Sequence, residues 1–123
     1  MYLMSKTKAE IRDQAGQKLG LIRINGTLQD QDKTKIEAAY DEVYEILKKR
    51  SLATWASTGS VPTGIESYVS GLIALKLALD YSISLERYQL IASEVGVDGN
   101  EGYKRIGLVV IPEYESDDEP RDY

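Results

Sequence analysis

Residues 7–20 are marked as a helix at both ends. Thr7-Lys8-Ala9-Glu10 fits a capping box, in which the hydroxyl takes a free backbone amide and the carboxylate reaches back. Ile11, Ala15 and Leu19 then recur four residues apart, and Gly20 stands where a left-handed C-cap belongs. A helix from about 8 to 19 with one narrow apolar stripe is predicted. Leu21 to Gly26 is a short connection closed by the Asn25-Gly26 turn signal.

The same signals recur downstream. A second helix begins after Asp30 or Asp32, gathers Ile36, Tyr40, Val43, Tyr44 and Leu47 on one face, and stops at Lys48-Lys49-Arg50-Ser51. Thr63-Gly64-Ile65-Glu66 reads as another capping box, opening a third helix over about 64–81. Tyr68, Val69, Leu72, Ile73, Leu75, Leu77 and Leu79 cover more than one of its faces, so it is either central or shared with a neighbouring subunit. Lys76 lies among them with a stem long enough to snorkel. Ser84 caps a fourth helix carrying Tyr88, Ile91, Ala92 and Val95 on one side. The pattern predicts an all-α fold, a small helical bundle of about four helices.

Two stretches break the helical pattern. Between helices 2 and 3, residues 51–64 form a long loop whose tip, Ser57-Thr58-Gly59-Ser60, has too little apolar area to bury itself. Such a loop is expected to project and to order against a partner. Trp55, the only tryptophan, either plugs the gap between helices 2 and 3 or anchors a partner. Beyond Gly96, glycines and turn residues lead into Ile106-Gly107-Leu108-Val109-Val110-Ile111-Pro112, rich in branched residues with no evident sheet to join. This run is read as an extended C-terminal arm that packs on something else, with a strand folded back on its own helices as the alternative. The division is a helical domain over 1–103 and an arm with an acidic tail over 104–123.

Composition restricts the chemistry. With no histidine and no cysteine, thiol nucleophiles, imidazole relays, Cys/His zinc sites and disulfides are excluded. Asp98-Gly99-Asn100-Glu101 lacks the twelve-residue ligand spacing of a calcium loop. The glycines at 96, 99, 102 and 107 follow no strand and precede no Gly-Lys-Ser/Thr, so they make no phosphate loop. Asp41, Glu42 and Glu45 have the spacing of a solvated helix face. Neither an enzyme nor a cofactor is expected. Glu113, Glu115, Asp117, Asp118, Glu119 and Asp122 against Arg121 carry the whole net charge of −5, which leaves residues 1–112 neutral and unlike a nucleic-acid module. Lys48-Lys49-Arg50, the longest basic run, complements a helix C-terminus. No apolar segment has membrane-spanning length, and a cytosolic product is expected.

Taken in order, Ala15-Gly16-Gln17-Lys18-Leu19-Gly20, Ala38-Ala39-Tyr40-Asp41-Glu42, the Trp-bearing loop and Ile73-Ala74-Leu75-Lys76-Leu77-Ala78 before Asp80-Tyr81 resemble the head-to-tail adaptors of tailed bacteriophages. The likeness is to the connector or head-completion proteins of the packaged-DNA stabilisation type, and it covers about residues 7–95. It implies a virion protein at the head-tail junction, made in the host cytoplasm. In related proteins a ring of twelve binds below the portal, extends the DNA channel, helps retain packaged DNA and seats the tail. The partners implied are further copies of the chain, the portal protein and a tail nozzle or hub protein, with DNA passing through without sequence-specific binding.

On that reading the portal contact falls on Ile106, Leu108, Val109, Val110, Ile111 and Tyr114. The subunit interface falls on Tyr40, Tyr44, Tyr68, Val69 and Ile73, and the tail-facing loop on Trp55, Ser57, Thr58, Gly59 and Ser60. The competing expectation is a small helical regulatory or antitoxin-like protein whose C-terminal segment folds on a partner.

Overall fold

A computed structural model describes residues 5–22 and 26–110, and every regular element in it is a helix. In order these are α1 (Lys8–Leu19), α2 (Asp30–Lys49), α3 (Glu66–Leu77), α4 (Leu85–Val95) and α5 (Asn100–Val110).

Helix α1 forms as its sequence dictates. Thr7 Oγ1 accepts from the Glu10 amide at 3.2 Å, the Glu10 carboxylate accepts from the Thr7 amide at 2.9 Å, and Gly20 closes the helix at φ 81°. Helix α2 starts at Asp30, with Asp30 and Asp32 at its positive end and Lys48 and Lys49 at its negative end. Salt bridges Lys8–Asp41 and Arg12–Glu37, both 2.8 Å, set α1 antiparallel to α2. Ser84 caps α4 by accepting from the Arg87 amide at 3.2 Å.

The entry and exit of α3 depart from expectation. The Thr63 box does not form: Ile65 takes the N-cap position, Thr63 Oγ1 is buried without a partner, and the Glu66 carboxylate accepts from the Gly64 amide instead. Ile65 is fully buried and Gly64 bends the chain at φ 104°, so burial rather than a hydroxyl sets where this helix starts. The helix also ends at Leu77, not near 81. Residues 78–82 form turns, with Tyr81 held to α2 by a 2.8 Å hydrogen bond from its hydroxyl to Asp32. Burial there, reinforced by that bond and by the charges of Asp32 and Asp80, pushes the Tyr81 phenol up to about 12.

Helix α3 is central, for it packs against each of the other four helices. Its buried Val69, Leu72, Ile73, Ala74 and Leu77 meet Ile11 and Ala15 of α1, Ile36, Tyr40 and Val43 of α2, Ile91 and Val95 of α4 and Ile106 of α5 in one core. A helix apolar nearly all round is thus covered within the monomer.

The extended-arm expectation is corrected over 104–110, which form most of α5. Gly96 and Gly99, at φ 90° and 85°, make the turn into it. Gly102 then lets α5 approach α4, since a Cβ there would stand 2.8 Å from Val95 Cβ. The boundary at 103/104 therefore cuts a continuous helix. Residues 111–123 lie outside the described residues.

Candidate functional site

The residues expected at a subunit interface are mostly core. Tyr40, Val69 and Ile73 are buried in the monomer, because α3 lies in the middle of the bundle and Tyr40 faces it from α2. They are corrected from interface to core. Tyr44 and Tyr68 are half-buried. The Arg105 guanidinium lies over the Tyr68 ring, 5.9 Å from its centroid.

The long loop is tied down at its base. Trp55 Nε1 donates to Tyr40 Oη at 3.2 Å, the Tyr44 hydroxyl donates to the Trp55 carbonyl at 2.6 Å, and the Tyr44 and Trp55 rings meet edge-on at 5.9 Å. Val61 is buried and exchanges two backbone hydrogen bonds with Lys6, at 2.7 and 3.2 Å. Ordering of the loop by a partner is thus corrected for its two flanks, which pack on α2 and on the chain before α1. Ser57, Thr58 and Ser60 are exposed at the tip, and Gly59 donates back to the Ala56 carbonyl at 2.8 Å. Tyr44→Phe removes one anchor of the loop, and the expected loss is about 0.5–1.5 kcal/mol by urea unfolding, with a change in tryptophan emission.

The portal-binding set divides according to helical geometry. Ile106 is fully buried and is corrected from partner contact to core, while Val110, one turn on, is half-buried. Leu108 and Val109 point outward, 62% and 42% exposed. Ile111 and Tyr114 lie outside the described residues.

A second exposed aliphatic set, at the α3–α4 corner, lies outside these expected sites. Leu79 is 89% and Leu85 69% exposed. With Ala78, Ile83 and Tyr88 they line a mostly apolar groove of about 320 Å³. Periodicity does not single it out: Leu85 stands three residues before Tyr88 and seven before Ala92, in line with that stripe, and Leu79 continues the apolar run of α3, so only the fold shows that both are left uncovered.

One polar cluster links four helices. Lys18 of α1 donates to Glu94 of α4 at 2.6 Å and to Ser67 of α3 at 3.2 Å, and the Ser67 hydroxyl donates to the other Glu94 oxygen. Arg105 of α5 donates to the Glu94 carbonyl at 3.1 Å. Desolvation would raise the Glu94 carboxyl, but the hydrogen bonds from Lys18 and Ser67 and the charges of Lys18 and Arg105 outweigh it and hold it below the ordinary carboxylate range. With the carboxylate engaged by a lysine, the cluster is built to join helices. A depressed folded-state pKa gives stability that is present above the ordinary glutamate pKa of about 4.3 and is lost as pH falls through the folded value. Glu94→Gln is therefore expected to lose about 1–2 kcal/mol at pH 7 and to show a shallower decline in acid, read from urea midpoints between pH 7 and 3.

No three carboxylates come together as a metal ion would need, and no helix is long and apolar enough to cross a membrane, among the described residues. No family model, curated protein or solved structure matches the chain.

Proposed function

We propose that the chain is a structural head-to-tail adaptor of a tailed-phage virion. It forms a ring below the portal that extends the DNA channel, helps retain packaged DNA and seats the tail, without catalysis. The sequence resemblance suggests this role. The structural observation that supports it is that two of the aliphatic surfaces left uncovered lie at opposite ends of α3. Leu79 and Leu85 flank its C-terminal end. Val109 lies at the other end, where its Cγ1 would be 3.4 Å from a Cβ on Gly64. Twelve residues of α3 separate the two patches by about 18 Å.

A ring subunit needs surfaces of two kinds, one for its neighbour and one for the component above. Two separate apolar surfaces suit that division, one for each kind of contact. With Tyr40, Val69 and Ile73 occupied in the core, the neighbour contact moves to the α3–α4 corner. The portal contact stays at Leu108, Val109 and the residues that follow. The tip at Ser57–Ser60, on its Trp55 base, is the part offered to the tail.

The test is mass measurement in solution, alone and with the portal protein from the same genome. A discrete multi-subunit ring is expected, and a portal complex with it. Leu79→Glu with Leu85→Glu should leave a helical monomer that forms no ring, whereas Leu108→Glu with Val109→Glu should keep the ring and lose the portal. A chain that stays monomeric and ignores portal overturns the proposal. A stable one-to-one complex with a small partner favours the regulatory reading instead.

A further inference from the structure

Helices α1 and α4 border a groove of about 360 Å³ that the adaptor reading leaves unused. Arg87, Leu90, Ile91 and Glu94 line it from α4, and Gln17 and Lys18 from α1. Its volume falls at the small end of the range usual for ligand clefts, about 300–1,000 Å³. Arg87 and Glu94 stand seven residues apart, about 10 Å along α4, with the two aliphatic side chains between them. Ile91 is buried and belongs to the core, whereas Leu90 is 70% exposed.

The two charged ends differ in what they leave free. At one, Lys18 engages the first Glu94 oxygen and the Ser67 hydroxyl the second, so lysine and carboxylate neutralise each other. At the other, Arg87 has no carboxylate within 4.0 Å among the described residues. Its Nη1 donates to the Gln17 carbonyl at 3.3 Å, and its guanidinium lies against Gly20, where a Cβ would stand 2.7 Å from Nε and 2.8 Å from Cζ. A cation at the end of α1 complements the macrodipole. It is not needed to close that helix, because the Gln17 carbonyl already accepts from the Gly20 amide at 3.0 Å and the Gly16 carbonyl from the Leu21 amide at 2.9 Å. A guanidinium carries five N–H donors in a fixed fork, and the bond to Gln17 uses one. Arg87 is thus held at the groove with donors to spare.

We infer that the groove between α1 and α4 binds an aliphatic carboxylate. The carboxylate takes the free N–H donors of Arg87, whose planar fork suits that group better than a point charge would. Leu90, three residues on, gives the alkyl chain a surface on the same side of α4, so binding removes apolar area from water as well as pairing the charge. With Glu94 neutralised by Lys18, the far end of the groove does not repel an anion as a free acid would. A bare inorganic anion would use Arg87 alone and leave Leu90 uncovered. A free branched-chain acid and the C-terminal leucine of a peptide share the required chemistry. This inference stands apart from the adaptor reading, since it uses neither Leu79 and Leu85 nor Leu108 and Val109.

The test titrates isocaproate into the full chain and follows the amide signals by NMR. Saturable shifts are expected at Gln17, Gly20, Arg87 and Leu90, with a dissociation constant in the millimolar range that suits so small a ligand. Arg87→Gln should weaken binding at least about tenfold, in keeping with the loss of a charge-assisted pair. Isocaproamide, which keeps the shape and lacks the charge, should be weaker by a similar factor. Leu90→Ser should weaken isocaproate and leave acetate unchanged. Both substituted residues are exposed, so the variants keep the fold. Equal binding of acid and amide, binding of isocaproate indifferent to either substitution, or the absence of saturable shifts overturns the proposal. N-acetyl-leucine separates the two sources: tighter binding than isocaproate assigns the groove to a peptide C-terminus, and equal or weaker binding assigns it to a free acid.

Discussion

Ile73→Asp is expected to abolish cooperative folding at pH 7. Ile73 is fully buried in α3, the helix that touches every other helix in the structure. The substitution removes apolar contacts whose loss in an Ile→Ala change costs about 2–5 kcal/mol. It then buries a carboxyl group with nothing to receive it. The introduced carboxyl can escape ionisation only by taking up a proton, and even neutral it must give up its hydrogen bonds to water. A total beyond about 5 kcal/mol compares with about 6–18 kcal/mol of stability for a domain of this length. Ile73→Val keeps the shape and should cost only about 0.5–1.5 kcal/mol. Far-ultraviolet circular dichroism and urea unfolding of the two variants make the comparison. If Ile73→Asp unfolded with the midpoint of the parent protein, the position would not be core. A folded monomer that failed only to assemble would return Ile73 to a subunit seam.

Expectation and fold agree where a local signal and the core ask for the same thing. Helix α1 is the clearest case, because Thr7, Glu10 and Gly20 satisfy its end groups without help from elsewhere and Ile11, Ala15 and Leu19 already share one face. Ser84 before α4 is another. They part where packing overrules the local signal. Thr63 and Glu66 have the spacing of a cap, yet Ile65 is drawn into the core and the helix starts beside it. Tyr44 and Tyr40 look like exposed aromatics until the loop folds back and sets Trp55 against both. That contact joins residues 40, 44 and 55, and no periodicity reports it. The candidate surfaces were legible only in part for the same reason: an apolar residue in sequence declares that it wants cover, and the fold decides which ones receive it. Ile73 and Ile106 do, while Leu79, Leu85 and Leu108 do not.

Ile106→Ala and Leu108→Ala are expected to differ widely, and the difference distinguishes a helix from an arm. In an extended segment, residues 106, 108 and 110 lie on one face and gain or lose cover together. In a helix, 106 and 110 share a face and 108 is turned away by about 200°. Ile106 is fully buried, Val110 half-buried and Leu108 62% exposed, the helical pattern. The branched residues that favour a strand here are outweighed by the spacing of Gly102, Ile106 and Val110, in which glycine serves as the smallest member of a core stripe. Gly102 faces Val95, and a Cβ would come within 2.8 Å of it, so α5 packs on α4 only because that side chain is absent. Ile106→Ala should therefore lose about 2–5 kcal/mol in urea unfolding. Leu108→Ala should stay within about 0.5 kcal/mol of the parent, as a surface change does. Equal and small effects at both positions would mean that α5 adds nothing to the core and would restore the extended arm. Should Leu108→Ala also leave portal binding untouched, the portal contact would lie beyond Val110.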